Sequence, residues 1–240
     1  MGCGCASTYD EVNPDSTLFR QIQYQIPAFL QRLYGGVVWR GGGAEKSIYL
    51  TFDDGCIPQV TPQVLDILDE YGIKATFFCV GDNIRKYPEL FVELLRRGHA
   101  VGNHTYNHLE GLRTPTDTYY ENIDKTDELI DRYHPQGKHR MHLFRPPYGR
   151  MTLRQKRRLQ QTHTIVLWDL ITHDYDRTRT PAEIMTAIRR YSRSGSIVLF
   201  HDSLKAADNM LAVLPQAIRY WQKQGYHIKP ITTNILSDNA

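Results

Sequence analysis

From residue 47 onward the apolar positions of this chain fall into short unbroken runs separated by amphipathic stretches. Ile48 to Asp53, Ala75 to Val80, His99 to Asn103, Leu143 to Arg145, Thr164 to Trp168, Ile197 to Phe200 and Tyr226 to Ile228 read as strands. Continuous apolar runs of this length belong to strands covered on both faces, as in parallel sheets. Helical spacing joins Leu65, Leu68 and Tyr71, then Leu90, Leu94 and Leu95. It returns from Asp117 to Tyr133, from Leu153 to Gln160, and through Leu211, Leu214, Ile218 and Trp221. Thr61 before Pro62 and Thr180 before Pro181 have the form of an N-cap followed by a first helical residue. Gly72 and Gly98 close two of these helices. Alternating β and α units predict a parallel sheet, and seven or so of them favour a closed or nearly closed barrel.

Residues 1-44 stand outside this alternation. Ser16 to Leu33 carries apolar residues at Leu18, Phe19, Ile22, Ile26, Phe29, Leu30 and Leu33, a helical rhythm interrupted by Pro27. Gly41-Gly42-Gly43 then breaks the chain before the first strand. The expected organisation is a single α/β domain, 45-240, with a partly helical N-terminal extension, 1-44.

Composition narrows the picture. At 240 residues, with 41% hydrophobic and 23% charged, the chain can build one large core. A net charge of +3 is too small to argue for nucleic acid. The dense basic run of Arg154 with Lys156-Arg157-Arg158 reads as a solvated helix face. No stretch approaches the roughly 18 apolar residues of a membrane span. The opening seven residues have neither the charged nor the apolar region of a signal peptide, and Ala6 stands where myristoylation wants Ser or Thr. Four cysteines without regular spacing give no disulfide framework and no Cys-based zinc site. Cys56 and Cys79, beside or within strands, read as small buried hydrophobes.

Polar residues collect where the strands end. Asp53 and Asp54 follow the first, His104 the third, Arg145 the fourth, Trp168-Asp169 the fifth and His201-Asp202 the sixth. In a parallel barrel those ends share one rim, where catalytic groups gather. His104 and His108, four apart on one helical turn, would point the same way and chelate one ion. With Asp54 they make a two-His, one-carboxylate set that leaves positions open for water and substrate. Zinc is the first choice, and cobalt or nickel suit the same ligands. Neighbours on an extended segment diverge, so one aspartate can ligate while the other faces the water. Arg145 can hold a carboxylate in fixed orientation. The rigid loop Arg145-Pro146-Pro147-Tyr148-Gly149 can present a backbone N–H to an oxyanion. His201 is placed as a proton donor, with Asp174 to orient its imidazole and keep it charged.

These motifs resemble those of the polysaccharide deacetylases, the family-four carbohydrate esterases with a NodB homology domain. Thr51 to Gly55, His104 to His108, Arg145 to Gly149, Trp168 to Tyr175 and Ile197 to Asp202 appear in the family's order, across roughly residues 47 to 230. The resemblance implies a distorted (β/α)7 barrel that hydrolyses acetyl groups from N-acetylated, sometimes O-acetylated, sugars of an oligo- or polysaccharide. It implies Asp54, His104 and His108 as metal ligands, Asp53 as base, His201 as acid, Arg145 as the tether of Asp53 and Asp174 as the support of His201. It also implies that Tyr148 helps hold the oxyanion through its backbone, while Trp168 and Leu199 line the acetyl pocket. Cys56 replaces a usual proline and brings a thiol toward the metal; Ile171 replaces a usual acid, and Tyr175 a usual tryptophan. Two alternatives stand beside this: a metal-dependent amidase on a small non-sugar molecule, and a non-catalytic carbohydrate-binding relic.

Overall fold

The computed structural model describes residues 17–42, 45–134, 142–232 and 235. Helices α1 (Thr17–Tyr24) and α2 (Ala28–Leu33), parted at Pro27, precede β1 (Ser47–Asp53). There follow α3 (Thr61–Glu70), β2 (Thr76–Cys79), α4 (Gly81–Lys86), α5 (Pro88–Arg96), β3 (Ala100–Asn103) and α6 (Thr116–Tyr133). Next come β4 (His142–Phe144), α7 (Leu153–Leu159), β5 (His163–Ile165), β6 (Leu170–Ile171) and α8 (Pro181–Tyr191). The last elements are β7 (Ser196–His201), α9 (Ala207–Lys223) and β8 (His227–Lys229). Cys3, Cys5 and Gly43 lie outside the described residues, as do the side chains of Leu18 and Phe19.

The named strands pair in parallel, in the order β5-β4-β3-β2-β1-β7-β6, a curled seven-strand path. This is the distorted (β/α)7 barrel that the family resemblance implies. Its seventh stave, however, is Leu170–Ile171, which two residues of apolar sequence could not announce. The predicted last strand instead lies at Ser47–Tyr49 of β1, while β2 takes Thr51–Asp53. Strand β5 also stops short of Trp168. Beyond Ile165 the backbone turns to the N-terminal segment: Val38 N–H donates to Ile165 O at 2.8 Å, and Leu167 N–H to Val38 O at 2.8 Å.

That segment continues to the other side of the seam, where Gly41 N–H donates to Gly195 O at 2.8 Å. A Cβ on Gly41 would sit 2.0 Å from the Tyr49 ring, so only glycine lets the chain pass so close. Residues 37–41 thus bridge the gap between β5 and β7. The base of this closure is Asp169, fully buried, which accepts hydrogen bonds from Gln25 Nε2 (3.1 Å), Ser196 Oγ (2.7 Å) and Arg193 Nε (3.0 Å). Asp169 therefore serves the N-terminal side of β7 and does not reach the rim, contrary to its strand-end position.

Period-two alternation sorts each strand between two cores. Ile48, Leu50 and Phe52 of β1 face the helices with Phe77, Val198, Phe200, Leu214 and Trp221. Tyr49 faces the interior with Phe78, Leu143, Val166 and Ile197. The same alternation turns Thr51 and Asp53 inward, and Leu199 and His201 on β7. Around the shell, Thr180 caps α8 with Glu183 in a capping box, as expected. Thr61 does not cap α3: it is the first helical residue, and its hydroxyl is committed to Asp202. The basic run is only partly solvated, because Lys156 is buried and donates to Gly35 O at 2.9 Å.

Arg193→Met would leave Asp169 short of its cationic donor in a dry site. Loss of about 1.5–3 kcal/mol of unfolding free energy is expected, read from the urea midpoint; an unmoved midpoint would contradict the role given to Asp169.

Candidate active site

Strand β1 and the turn after it deliver two aspartates to one cavity by different means. Asp53, the last strand residue, points inward and is buried. Asp54 takes φ 84, a left-handed conformation uncommon outside glycine, and its carboxylate lines the same cavity as that of Asp53, where strand alternation would have sent it to the opposite face. Asn83 Nδ2 holds the Asp54 carbonyl at 2.8 Å. The turn is closed from beneath by Asp202, whose carboxyl receives Gly55 N–H at 3.0 Å and Thr61 Oγ1 at 2.6 Å. Burial pushes the Asp202 carboxyl up to about 8.

Arg145, at the end of β4, is wholly buried and spends its guanidinium on four acceptors. Nη1 donates to Asp53 Oδ1 (2.7 Å) and Thr51 Oγ1 (2.9 Å). Nε and Nη2 donate to the carbonyls of Val166 (3.3 Å) and Leu167 (3.1 Å), and the plane lies over the Phe78 ring. Its own carbonyl accepts from His104 Nδ1 at 2.8 Å. That bond fixes the His104 tautomer, leaving Nε2 as an unprotonated donor atom facing the aspartates.

His104 and His108 converge, but not on a helix. They lie on a loop after β3 in which Thr105 and His108 adopt φ 61 and 55. The Asn103 side chain caps Thr105 N at 2.7 Å, and Thr105 Oγ1 accepts Leu109 N–H at 2.9 Å. The expected helical chelation is therefore corrected to a strained loop. Its result is the same pairing: His108 Nε2 is 3.4 Å and His104 Nε2 3.9 Å from Asp54 Oδ1. Ligand atoms of Asp54, His104 and His108 all lie within 4.8 Å of one another. Burial holds the His104 imidazole down to about 3, so it is neutral and able to coordinate. The donor set fits a divalent first-row cation.

Across the cleft stands His201, at the end of β7. Asp174 holds it twice, taking His201 N–H at 2.7 Å and Nδ1 at 2.8 Å. Burial opposes its charge, but the Asp174 carboxylate overrides this and raises the imidazolium to about 9. The Tyr175 ring meets His201 edge to face at 4.9 Å.

A cavity of about 690 Å³ joins these groups. Asp53, Asp54, His104, His108, His201, Tyr148, Trp168 and Leu199 all line it, with Ile171 and Tyr175 where the acid and tryptophan were replaced. Tyr148, at φ 60, stands over His108 with ring centroids 4.9 Å apart. Cys56 does not approach the metal ligands as expected; it is buried with its sulfur 4.0 Å from Cys79 Sγ, as small hydrophobes pack. Thr51 and Asp202 were noted in the sequence without a role. Each is a polar residue in or just after an otherwise apolar strand, and that was the available signal.

A curled parallel barrel thus carries at its rim an Asp-His-His cluster that could hold a metal ion, with a buried carboxylate and an Asp-held imidazole beside it. Residues 40–167 match the Polysaccharide deacetylase family. A peptidoglycan-N-acetylglucosamine deacetylase of Bacillus cereus is 32% identical over 82% of this chain and 92% of that protein. A chitooligosaccharide deacetylase of Bradyrhizobium is 31% identical over 86% and 96%. The crystal structure of a peptidoglycan N-acetylglucosamine deacetylase in complex with a 4-naphthalen-1-yl-N-oxidanyl-benzamide superimposes with TM-score 0.78 at 28% identity, covering 85% and 95%. The chain belongs to the polysaccharide deacetylase family.

Arg145→Met leaves the Asp53 charge buried without its partner. A drop of about 3–5 kcal/mol in unfolding free energy is expected, measured by denaturant titration; a variant as stable as the parent would sink the assignment of this pair as the site's anchor.

Proposed function

We propose that the chain is a metal-dependent deacetylase that hydrolyses acetamido groups on an oligo- or polysaccharide, with 45-240 as the catalytic domain and 1-44 as its extension. The bracketing of the Asp54-His104-His108 group between an Arg-held carboxylate and an Asp-held imidazolium carries this reading. Asp54, His104 and His108 would hold one divalent cation, zinc first, with cobalt or nickel fitting the same donors. When bound, the cation supplies Lewis acidity to the acetyl carbonyl and lowers the pKa of water toward about 7.

The chain's own residues do the rest. Asp53, fixed by Arg145, accepts a proton from the attacking water. The water oxygen adds to the acetyl carbon, and the backbone at Tyr148 steadies the developing negative charge. His201 donates its proton to the departing nitrogen as the C–N bond breaks, giving acetate and a free amine. Asp174 keeps that proton in place beforehand. Trp168 and Leu199 enclose the methyl group and keep bulk water away. Trp168, Tyr148 and Tyr175 give the cleft apolar ring faces on which a pyranose can stack, which favours a sugar over a small non-sugar amide. The complete set of base, acid and ligand candidates favours an enzyme over a binding relic.

Acetate release from an N-acetylated chitooligosaccharide tests this, and a chelator is expected to abolish it. Asp53→Asn should keep one equivalent of zinc yet turn over about 10²–10⁴-fold more slowly; near-normal turnover would refute the base. His104→Ala should lose the metal by elemental analysis.

The acid should remain charged up to about pH 9. Because Asp174 raises the imidazolium, Asp174→Asn is expected to move the alkaline limb of the rate profile to lower pH. A limb that stays in place would separate Asp174 from the acid.

A further inference from the structure

The seam-closing extension also reaches the catalytic cleft. His173 sits at φ 58 between the two. Its Nε2 lies 2.7 Å from the Gln23 carbonyl in α1, an acceptor, so Nε2 carries the hydrogen. Burial lowers the proton affinity of His173, which keeps the ring neutral and leaves Nδ1 as an acceptor. The Tyr175 hydroxyl is 3.0 Å from that Nδ1 and donates to it. The Tyr175 ring in turn stands edge to face against His201, 4.9 Å between centroids.

A directed path thus runs from a backbone carbonyl of α1 to the imidazole of the acid. Its outer end is clamped. Tyr24, the last residue of α1, meets His173 edge-on at 5.3 Å and stacks on Tyr191 of α8 at 5.5 Å. Arg179 donates to the Tyr24 hydroxyl. On the cleft side the Lys205 ammonium lies 5.4 Å from the Tyr175 ring centre. Nothing in the hydrolysis itself uses His173 or Tyr24. A ring at 175 without the hydroxyl would leave His173 Nδ1 without this donor. Tyrosine at 175 and histidine at 173 therefore make one device.

We propose that α1 is a positioning element of the active site, holding the wall behind His201 through the Gln23 carbonyl, His173 and the Tyr175 hydroxyl. His173 and Tyr175 are positioning residues: they set where the imidazole stands, while Asp174 supplies its charge. This rests on His201 being the acid. Misplacing a proton donor slows the bond-breaking step and leaves ground-state binding alone, so the effect falls on kcat.

The test uses the full-length, zinc-loaded protein and an N-acetylated chitooligosaccharide. Tyr175→Phe keeps the ring and removes only the hydroxyl. His173→Asn keeps a residue that tolerates positive φ and removes the imidazole. Each is expected to lower kcat by about three- to tenfold, with KM and zinc affinity within about twofold of the parent. The double variant should be no slower than the worse single one, because both break the same link. Tyr24→Ala, outside the cleft, should lower kcat in the same direction.

Parent-like kcat in Tyr175→Phe, beside a His201→Asn variant that is inactive, would overturn the positioning role alone. Additive losses in the double variant, or losses carried by KM, would overturn it too. Full turnover by His201→Asn would remove the acid assignment and this proposal with it.

Discussion

Arg145 is the residue on which both the barrel and its chemistry depend. A guanidinium taken out of water costs several kcal/mol unless every donor finds an acceptor in good geometry. Here the acceptors come from β1, through Asp53 and Thr51, and from the carbonyls after β5. The penalty can be met only when β1, β4 and the end of β5 are together, so the buried charge specifies how the strands meet. Its carbonyl adds a second function by setting the tautomer of His104. One residue thereby orients a carboxylate with its side chain and an imidazole with its backbone. Such a pair is poor evidence for stability in itself. Orientation is what it provides.

The cleft is electrically divided by the same logic. His104 and His201 are both buried, and burial by itself would discharge both. His104 faces a backbone carbonyl on one nitrogen and is held down to about 3. His201 faces the Asp174 carboxylate and is raised to about 9. Two histidines on opposite sides of one cleft are thus a neutral lone-pair donor and a charged proton donor over the whole range between. A ligand has to offer a lone pair and an acid has to offer a proton. Most of the difference comes from the Asp174 carboxylate on the second ring nitrogen of His201, whose charge Asp54 and Asp53 also favour.

Much of this was legible in the chain, because period and strand-end position are local properties. Unbroken apolar runs marked the strands of a two-sided sheet, and the inward turn of Thr51, Asp53, Leu199 and His201 follows from alternation along β1 and β7. Three features were not legible. Leu170–Ile171 is too short to carry a pattern, and it is a strand only because β7 lies beside it. Asp169 looks like a rim residue by order, yet the chain crosses the seam just before it and delivers it to Ser196 and Arg193. Residues 37–41 offer only Val37, Val38 and Trp39 as strand formers, flanked by glycines, too short a run to announce a strand, and they form isolated bridges alone. They pair because two open edges stand within reach, which only the closed barrel creates.

The spacing of His104 and His108 shows where pattern misleads most. Four residues suit a helical turn, and the two imidazoles do come together beside Asp54 although no helix is there. Among the described residues the non-glycine positions with positive φ are Asp54, Thr105, His108, Tyr148 and His173. Asp54 and His108 belong to the Asp-His-His cluster itself, Thr105 lies between its two histidines, and Tyr148 and His173 sit on the cleft wall or directly behind it. Conformations of this kind cost on the order of 1–3 kcal/mol each and persist only where surroundings overdetermine them. Asn83, Asn103, Thr105 and Gln23 supply that support by hydrogen bonds to or from the strained segments. A helix would have presented the imidazoles with less strain but with their separation set by the helical rise. A loop held in the left-handed region lets β3 end, reverse, and return His108 toward Asp54 within four residues. The strain is concentrated where geometry, and not propensity, decides what the residues can do.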